Sequence, residues 1–247
     1  MNPEELAEVS SVGGFFALRL GNGAHPYVPL ASLYAGETAY VGEAAPLAAR
    51  IDTVAARLRA PERRVAASIA HLGLAARLWS IALGPAALHG VLPDFAPDRL
   101  HWDAGRTSPD DLLLAPGGKP REATAERVAE SVLDGHLAPL AEAVRRDTPV
   151  SYGLLRGNAG SALAGAVREL HVWARKLGRP EVGERALALG AELFTHPDLV
   201  GTGTLLPGPA FRRRSCCLYY RCPGGGLCGD CVFDRAPERG PTLDVPE

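Results

Sequence analysis

The residues best suited to chemistry in this sequence are its cysteines, all five of which lie within residues 212–231. Cys216 and Cys217 are adjacent, ten residues separate Cys217 from Cys228, and two separate Cys228 from Cys231. Four thiols that converge can form two disulfides, a tetrahedral zinc site or an iron–sulfur cluster. The spacing favours a metal site over disulfides, but it does not choose the metal.

The two halves of this cysteine pattern place different demands on the backbone. A Cys-x-x-Cys turn such as Cys228 to Cys231 directs two sulfurs at one metal, because Gly229 can take a positive φ and free N–H groups face the sulfurs. Consecutive side chains on a strand point to opposite faces, so Cys216 and Cys217 require a bend to reach one centre. Zinc ligands usually come in pairs two to four residues apart, and plant-type ferredoxin spacing also differs.

The pattern Cys-Cys-x10-Cys-x2-Cys near the end of a chain of this size resembles the ferric-siderophore reductases of the FhuF-like family. The Arg-Arg-Ser before the adjacent pair and the Gly-Gly-Gly-Leu-Cys-Gly-Asp-Cys after it resemble the actinobacterial branch of that family. The resemblance implies a [2Fe-2S] cluster with Cys216, Cys217, Cys228 and Cys231 as its ligands and as the redox-active residues. Cys222 has no counterpart among those ligands.

The resemblance also implies an activity, that of an oxidoreductase acting on a metal ion. Such an enzyme adds one electron to a cytoplasmic ferric siderophore, here expected to be of hydroxamate type, and thereby releases Fe(II). The sequence has no Gly-x-Gly-x-x-Gly fingerprint after a strand, so the expected electron donor is a separate ferredoxin-like protein.

Two other interpretations stay open from the sequence. One is a zinc-stabilised binding module, and the other is an iron–sulfur electron carrier or sensor. A sensor acting on DNA would need a basic recognition helix, and the sequence offers none.

Positive and aromatic side chains flank the cysteines. The arginines are either a solvated run of charge or a docking site for an acidic donor or an anionic iron chelate. The tyrosines either shield the cluster or face a ligand, and simple packing is the plainer interpretation. The residues concerned are Arg212, Arg213, Arg214, Arg221, Tyr219 and Tyr220.

Composition excludes some classes of function. The chain of 247 residues has a formal net charge of −2, so there is no global basic field and nucleic acid is not an expected partner. The start of the chain is acidic and lacks the basic and apolar regions of a secretory signal. The most apolar stretch, residues 72–92, contains Arg77, His89 and Gly84-Pro85, which suits a buried helix better than a membrane span. We therefore expect a cytoplasmic protein with no integral membrane segment, where cysteines stay reduced.

Hydrophobic periodicity predicts a mainly α fold: a helical body with a few short strands and a small irregular iron–sulfur lobe at its end. A short antiparallel pair is expected around residues 99–103 and 111–115, and the second long helix should stop at Gly84-Pro85. The predicted helices span residues 3–10, 46–60, 62–83, 123–146, 152–177 and 180–194. The expected organisation is a body over residues 1–209 carrying a possible siderophore-binding face, a cysteine lobe over 210–234 and a frayed tail over 235–247.

Overall fold

The computed structural model describes residues 1–21, 23, 26–35 and 45–237. Its helices are α1 (Pro3–Ser10), α2 (Leu30–Tyr34), α3 (Pro46–Leu58), α4 (Arg63–His89), α5 (Ala125–Ala129), α6 (Ala138–Asp147), α7 (Tyr152–Lys176) and α8 (Pro180–Leu193). Its strands are β1 (Arg19–Leu20), β2 (Val28–Pro29), β3 (Val91–Leu92), β4 (Leu100–Trp102), β5 (Leu112–Leu114), β6 (Arg121–Glu122), β7 (Gly203–Leu205) and β8 (Phe211–Arg213). The predicted mainly α fold with few short strands is confirmed.

Helix α4 forms the centre of the body, packed against α3, α7 and α8. The Trp79 indole of α4 donates a hydrogen bond to the Ala159 carbonyl of α7 at 3.0 Å. This helix is long and apolar enough to cross a membrane, but 78% of its most apolar window is buried inside the protein. Among the residues described, it therefore has the character of a core helix.

The prediction that the second helix ends at Gly84-Pro85 is wrong, since α4 continues to His89. Inside a helix, glycine costs about 1 kcal/mol and proline about 3 kcal/mol relative to alanine. Packing outweighs this cost because residues 84–88 are all buried. A Cβ at Gly84 would lie 2.7 Å from Val9 Cγ1, so the glycine lets α1 approach α4 closely. Gly90, with φ of 70°, then ends the helix in the left-handed conformation.

The predicted helix 123–146 is divided into three parts. Thr124 caps α5 by accepting a hydrogen bond from the Arg127 N–H at 3.3 Å, a π-helical segment covers Glu130–Leu137, and α6 follows. Pro139 lies in the first turn of α6, where the missing N–H costs little. The overall extent was predicted, whereas the π-helical middle was not.

The predicted antiparallel pair is present as β4 and β5, with Leu100 opposite Leu114 and Trp102 opposite Leu112. Strand β1 joins β5 in parallel and β2 joins β4 antiparallel, which gives the order β1-β5-β4-β2. The buried Arg77 of α4 secures this sheet through an ion pair with Asp111 at 2.9 Å. Strands β3 and β6 form a separate antiparallel pair.

Strands β7 and β8 form a hairpin that leads into the cysteines, with Gly203 opposite Arg213 and Leu205 opposite Phe211. The sequence pattern did not predict this hairpin, because its strands are short and contain glycine and arginine. The expected boundary between residues 209 and 210 falls inside the hairpin. Of the expected tail, residues 238–247 lie outside the described part of the chain.

Candidate metal centre

The backbone between Cys216 and Cys231 bends at the two places where the cysteine spacing requires it. Leu218, directly after the adjacent pair, takes a left-handed conformation with φ of 70°. A non-glycine residue rarely adopts this conformation, so the surrounding structure must hold it there. A 3₁₀ turn, Tyr219–Arg221, follows. Further along, the Cys231 N–H donates to the Cys228 carbonyl at 3.0 Å, which closes the second turn.

These bends bring four of the sulfurs together. Hydrogen bonds from the Cys216 thiol and then the Cys228 thiol lower the pKa of Cys217 to about 2. The hydrogen bond to Cys217, followed by burial, raises the pKa of Cys216 and of Cys228. Negative charge on Cys231 contributes to the raised pKa of Cys216, so the fourth sulfur also lies nearby. Bound iron would replace the protons that these sulfurs share.

Each of the four sulfurs accepts a hydrogen bond from the backbone N–H two residues ahead. The Leu218 N–H donates to Cys216 Sγ at 3.2 Å, and the Phe233 N–H donates to Cys231 Sγ at 3.4 Å. The Tyr219 N–H makes the same bond to Cys217, and the Asp230 N–H makes it to Cys228. Backbone donors aimed at sulfur stabilise thiolates and raise the potential of an iron–sulfur cluster. This donor set fits a thiolate-bound cofactor.

Over the described residues, no group of three or more His, Cys, Asp or Glu side chains is arranged so that it could hold a metal ion. A structural zinc site needs four ligands about one point, whereas a [2Fe-2S] cluster needs two protein ligands at each iron. The choice between the two therefore rests on the chemistry of the donors and on similarity to known proteins.

A family model for the FhuF 2Fe-2S C-terminal domain matches residues 213–233, the stretch that contains all five cysteines. The cofactor of this chain is a [2Fe-2S] cluster. The match supports a relationship to the FhuF-like family and an iron–sulfur function connected with siderophores. No curated protein matches the chain.

Arg213 is the main functional residue that the sequence placed in the wrong environment. Its neighbours Arg212 and Arg214 are exposed, but the Arg213 side chain points inward from β8 and is only 2% exposed. Its Nη2 donates to Asn158 Oδ1 at 2.6 Å, and its Nε donates to the Ser215 carbonyl at 2.9 Å. Arg213 therefore takes no part in a docking surface. The alternation of inward and outward residues on a strand would have revealed this, had β8 been recognised.

Arg213 provides positive charge beside the sulfurs. After the thiol hydrogen bonds and burial, its charge is a further influence on the pKa of Cys217 and of Cys228, and it lowers both. No carboxylate within the described residues forms an ion pair with it, and its Nη1 is buried without a hydrogen-bond partner there. A buried cation next to thiolates offsets the negative charge of a cluster held by four cysteines.

A chain of hydrogen bonds fixes this region to α4 and α7. The Ser68 hydroxyl of α4 donates to the Cys217 carbonyl at 2.8 Å, and the Asn158 amide of α7 donates to the Ser68 carbonyl at 2.9 Å. Asn158 is fully buried, so it supports Arg213 and the cysteine segment rather than lining an open ligand site.

A second attachment starts from Asp230, which lies between the two cysteines of the Cys-x-x-Cys turn and is 6% exposed. Its carboxylate accepts hydrogen bonds from the Ser161 hydroxyl at 2.6 Å and from Arg168 Nη1 at 3.0 Å, both on α7. The Asp230 carbonyl accepts from the Arg213 N–H at 2.9 Å. Asp230 and Arg168 were both missed from the sequence, because their pairing joins distant segments.

The remaining predicted site residues lie around the rim of the centre. Arg212 pairs with the exposed Asp234 at 2.8 Å, and Arg221 pairs with Glu62 of the turn before α4. Tyr219 and Tyr220 are half-buried, and Tyr220 packs edge-on against Phe233 with ring centroids 5.8 Å apart. Cys222 is buried, and its backbone links the 3₁₀ turn to the glycines through the Gly225 N–H at 2.8 Å.

Proposed function

We propose that this protein is a ferric-siderophore reductase that transfers one electron to a ferric siderophore in the cytoplasm and so releases Fe(II). The observation that carries the proposal is the set of four sulfurs, each with its own backbone donor, inside the segment that resembles the FhuF 2Fe-2S domain. The flanking Arg-Arg-Ser and triple glycine further suggest the actinobacterial branch.

Cys216, Cys217, Cys228 and Cys231 are the proposed ligands. Hydrogen bonds or charge link these four sulfurs to one another. We propose that they form a lobe over residues 210–234 on a body of residues 1–209.

When bound, the [2Fe-2S] cluster supplies one electron at low potential, about −400 mV for an all-cysteine site of the plant-ferredoxin kind. The chain's own residues adjust that potential. The N–H groups of Leu218 and Phe233 stabilise negative charge on the sulfurs, and buried Arg213 adds a positive charge nearby. These groups oppose the negative charge that accumulates on reduction.

The substrate chemistry explains why one electron is sufficient. A ferric ion is held by anionic oxygen ligands, and the electron lowers its charge from +3 to +2. Each Coulombic attraction between iron and oxygen weakens in proportion, so the ferrous ion dissociates or is captured. We propose a hydroxamate siderophore as the iron carrier. Atoms and charge balance with one electron from a ferredoxin-like donor for each iron released.

The exposed Arg212 and Arg214 are the proposed contacts for that donor, with Arg221, Tyr219 and Tyr220 on the same rim. An acidic carrier would be steered to this side of a chain whose net charge is close to neutral.

The test combines metal analysis with reduction of a defined chelate. We expect purified protein to contain two irons and acid-labile sulfide, to lose visible colour with dithionite, and to give an electron paramagnetic resonance signal when reduced. Anaerobic mixing of the reduced protein with ferric desferrioxamine B and a ferrous-specific chelator should restore the colour and yield one Fe(II) per protein. Stoichiometric zinc without sulfide, or a reduced cluster that the ferric chelate leaves unchanged, would overturn the proposal.

A further inference from the structure

A groove of about 460 Å³ lies between α4, α7 and the segment that connects α1 to β1. Small residues form part of its lining, which we call the floor: Ala76 from α4 with Ala162, Gly165 and Ala166 from α7. Phe15 forms part of its wall and is 44% exposed, which is unusual for a large aromatic side chain. The volume is in the range of small-molecule sites.

One end of the groove reaches Asp230, which lies between Cys228 and Cys231 in the sequence. Asp230 contributes to the lining, as do its partners Ser161 and Arg168. The N–H of the same Asp230 donates to the sulfur of Cys228. A molecule in the groove would therefore touch side chains hydrogen-bonded to the turn that carries two proposed cluster ligands. Such closeness is what electron transfer to a bound substrate requires.

The charges around the groove indicate what it can hold. Its ionisable lining consists of one cation, Arg168, and two carboxylates, Glu169 and Asp230. A polyanionic chelate would meet net negative charge there, as would the acidic surface of a protein carrier. A compact chelate without net negative charge, with aliphatic arms around its metal, matches the apolar floor and the few polar groups.

We propose that this groove is the docking site for the ferric chelate, and that Asp230, Ser161 and Arg168 form the contact between the bound chelate and the cluster-bearing turn. The inference rests on the proposed reductase function and adds the place where the substrate binds. It accounts for the small residues of α7 between Ala162 and Ala166, which leave open a volume that larger side chains would close.

Gly165 provides a direct test. A Cβ built there has Arg168 Nη2 at 3.9 Å as its nearest neighbour, so a larger side chain would enter the groove without displacing the core. Replacing a helical glycine with leucine also improves helix propensity, so the Gly165→Leu protein should fold. Gly153→Leu is the matched control, because Gly153 is an exposed glycine on the same helix and does not line the groove.

Binding is measured with the gallium(III) complex of desferrioxamine B, which has the shape of the ferric complex but cannot be reduced. By calorimetry on the cluster-containing protein, we expect Gly165→Leu to weaken binding at least tenfold, and Gly153→Leu to leave the Kd unchanged. Reoxidation of the reduced cluster by ferricyanide serves as a measure of cluster competence and should be the same in all three proteins.

The outcomes separate this inference from the proposed function. If Gly165→Leu binds the gallium complex as tightly as the wild type, or reduces ferric desferrioxamine B as fast as the wild type, the groove is not the docking site and the reductase function stands. If the wild type has a competent cluster but neither binds nor reduces the chelate, both proposals fail.

Discussion

At the scale of single residues, the four proposed ligands share one kind of contact. Cys216, Cys217, Cys228 and Cys231 each accept a backbone N–H from two residues ahead, and hydrogen bonds among the first three shift their pKa values. Cys222 is buried at the end of the 3₁₀ turn, where its backbone makes the turn contacts. Because the family resemblance gives Cys222 no ligand role, substitutions of the same kind lead to opposite expectations.

We expect Cys231→Ser to abolish the cluster, because loss of one thiolate leaves an iron with an incomplete ligand set. Cys222→Ser should retain both irons and the visible spectrum. Iron and sulfide content per chain and the visible spectrum, measured for both variants, check these two expectations. Loss of colour in the Cys222 variant would contradict the ligand assignment.

A second prediction at this scale concerns Arg213. Removing a buried cation should lower the reduction potential, because the reduced cluster is one unit more negative than the oxidised one. At an effective dielectric of about 20 and a separation of about 8 Å, the Coulomb energy is about 2 kcal/mol. A tenfold change in an equilibrium constant corresponds to about 1.4 kcal/mol or, for one electron, to about 59 mV. Arg213→Met should therefore lower the reduction potential by on the order of 50–100 mV.

Two variants serve as controls for that measurement by redox titration. Arg213→Lys keeps the charge and loses the forked hydrogen bonds, so its potential should stay close to the wild-type value. Arg212→Met removes an exposed charge from the same strand and should shift the potential much less, since water screens that charge. Equal shifts for Arg212→Met and Arg213→Met would show that burial does not matter here.

At the scale of elements, the cysteine segment depends on a close approach to α7. A Cβ at Gly157 would collide with Ser215 Oγ and lie 3.3 Å from Arg213 Nη2, so only glycine permits this contact without movement. The polar attachments of Asn158, Ser161 and Arg168 are on the same helix. Helix α7 therefore fixes the position of the cysteine segment.

We expect Gly157→Ala to reduce the free energy of unfolding by about 1–3 kcal/mol, the usual cost of overpacking, and to promote loss of iron. The matched change Gly153→Ala, at an exposed position of α7, should instead stabilise the protein by about 0.5–1 kcal/mol through helix propensity. Denaturant unfolding with iron analysis checks both. Stabilisation by both alanines would show that Ser215 moves aside at little cost.

At the scale of the whole molecule, two buried histidines, His136 and His71, have lowered pKa values and are neutral in the fold at pH 7. Burial lowers the pKa of His136 to about 4, and the backbone hydrogen bond to the Phe95 carbonyl opposes that shift only in part. Its other nitrogen is 2.9 Å from the Tyr34 hydroxyl. Burial and then the charge of Arg213 lower the pKa of His71 to about 3. Both imidazoles gain protons more readily after unfolding.

The unfolded chain therefore binds more protons than the folded one between pH 6.5 and 4, and stability should fall as the pH falls through that window. His136 alone contributes a slope of about 1.4 kcal/mol per pH unit there. His136→Gln should unfold with a smaller pH slope than the wild type, measured with urea at pH 7, 5.5 and 4.5. An unchanged slope would mean that His136 is already charged in the fold.

The rim charges also act at this scale. Arg212→Glu combined with Arg214→Glu should slow reduction of the cluster by an acidic ferredoxin, most strongly at low salt, because both side chains are exposed. Stopped-flow rates at several salt concentrations test this, and reduction by dithionite serves as the control. A rate with the carrier that is the same as wild type at low salt would mean that the arginines are merely solvated.

The sequence by itself determined the features that depend on local pattern. Apolar residues at three- and four-residue spacing predicted α3, α7 and the extent of α5 to α6, and helix start and stop signals predicted α1 and α8. Two short runs on either side of a turn predicted the pairing of β4 with β5. The spacing of four cysteines indicated a metal site, and the resemblance it carried named the [2Fe-2S] cluster that the matched domain supports.

Only the tertiary structure decided what depends on contacts between distant segments. Packing of Val9 against Gly84 carries α4 past a proline that local propensity treats as a stop. The hairpin β7–β8 turns Arg213 inward and its two neighbours outward, which a run of three arginines does not reveal. Asp230 meets Ser161 and Arg168 across more than sixty residues of chain. All three features are stabilised by burial and by partners far along the chain. Local sequence pattern specifies neither the burial nor the partners.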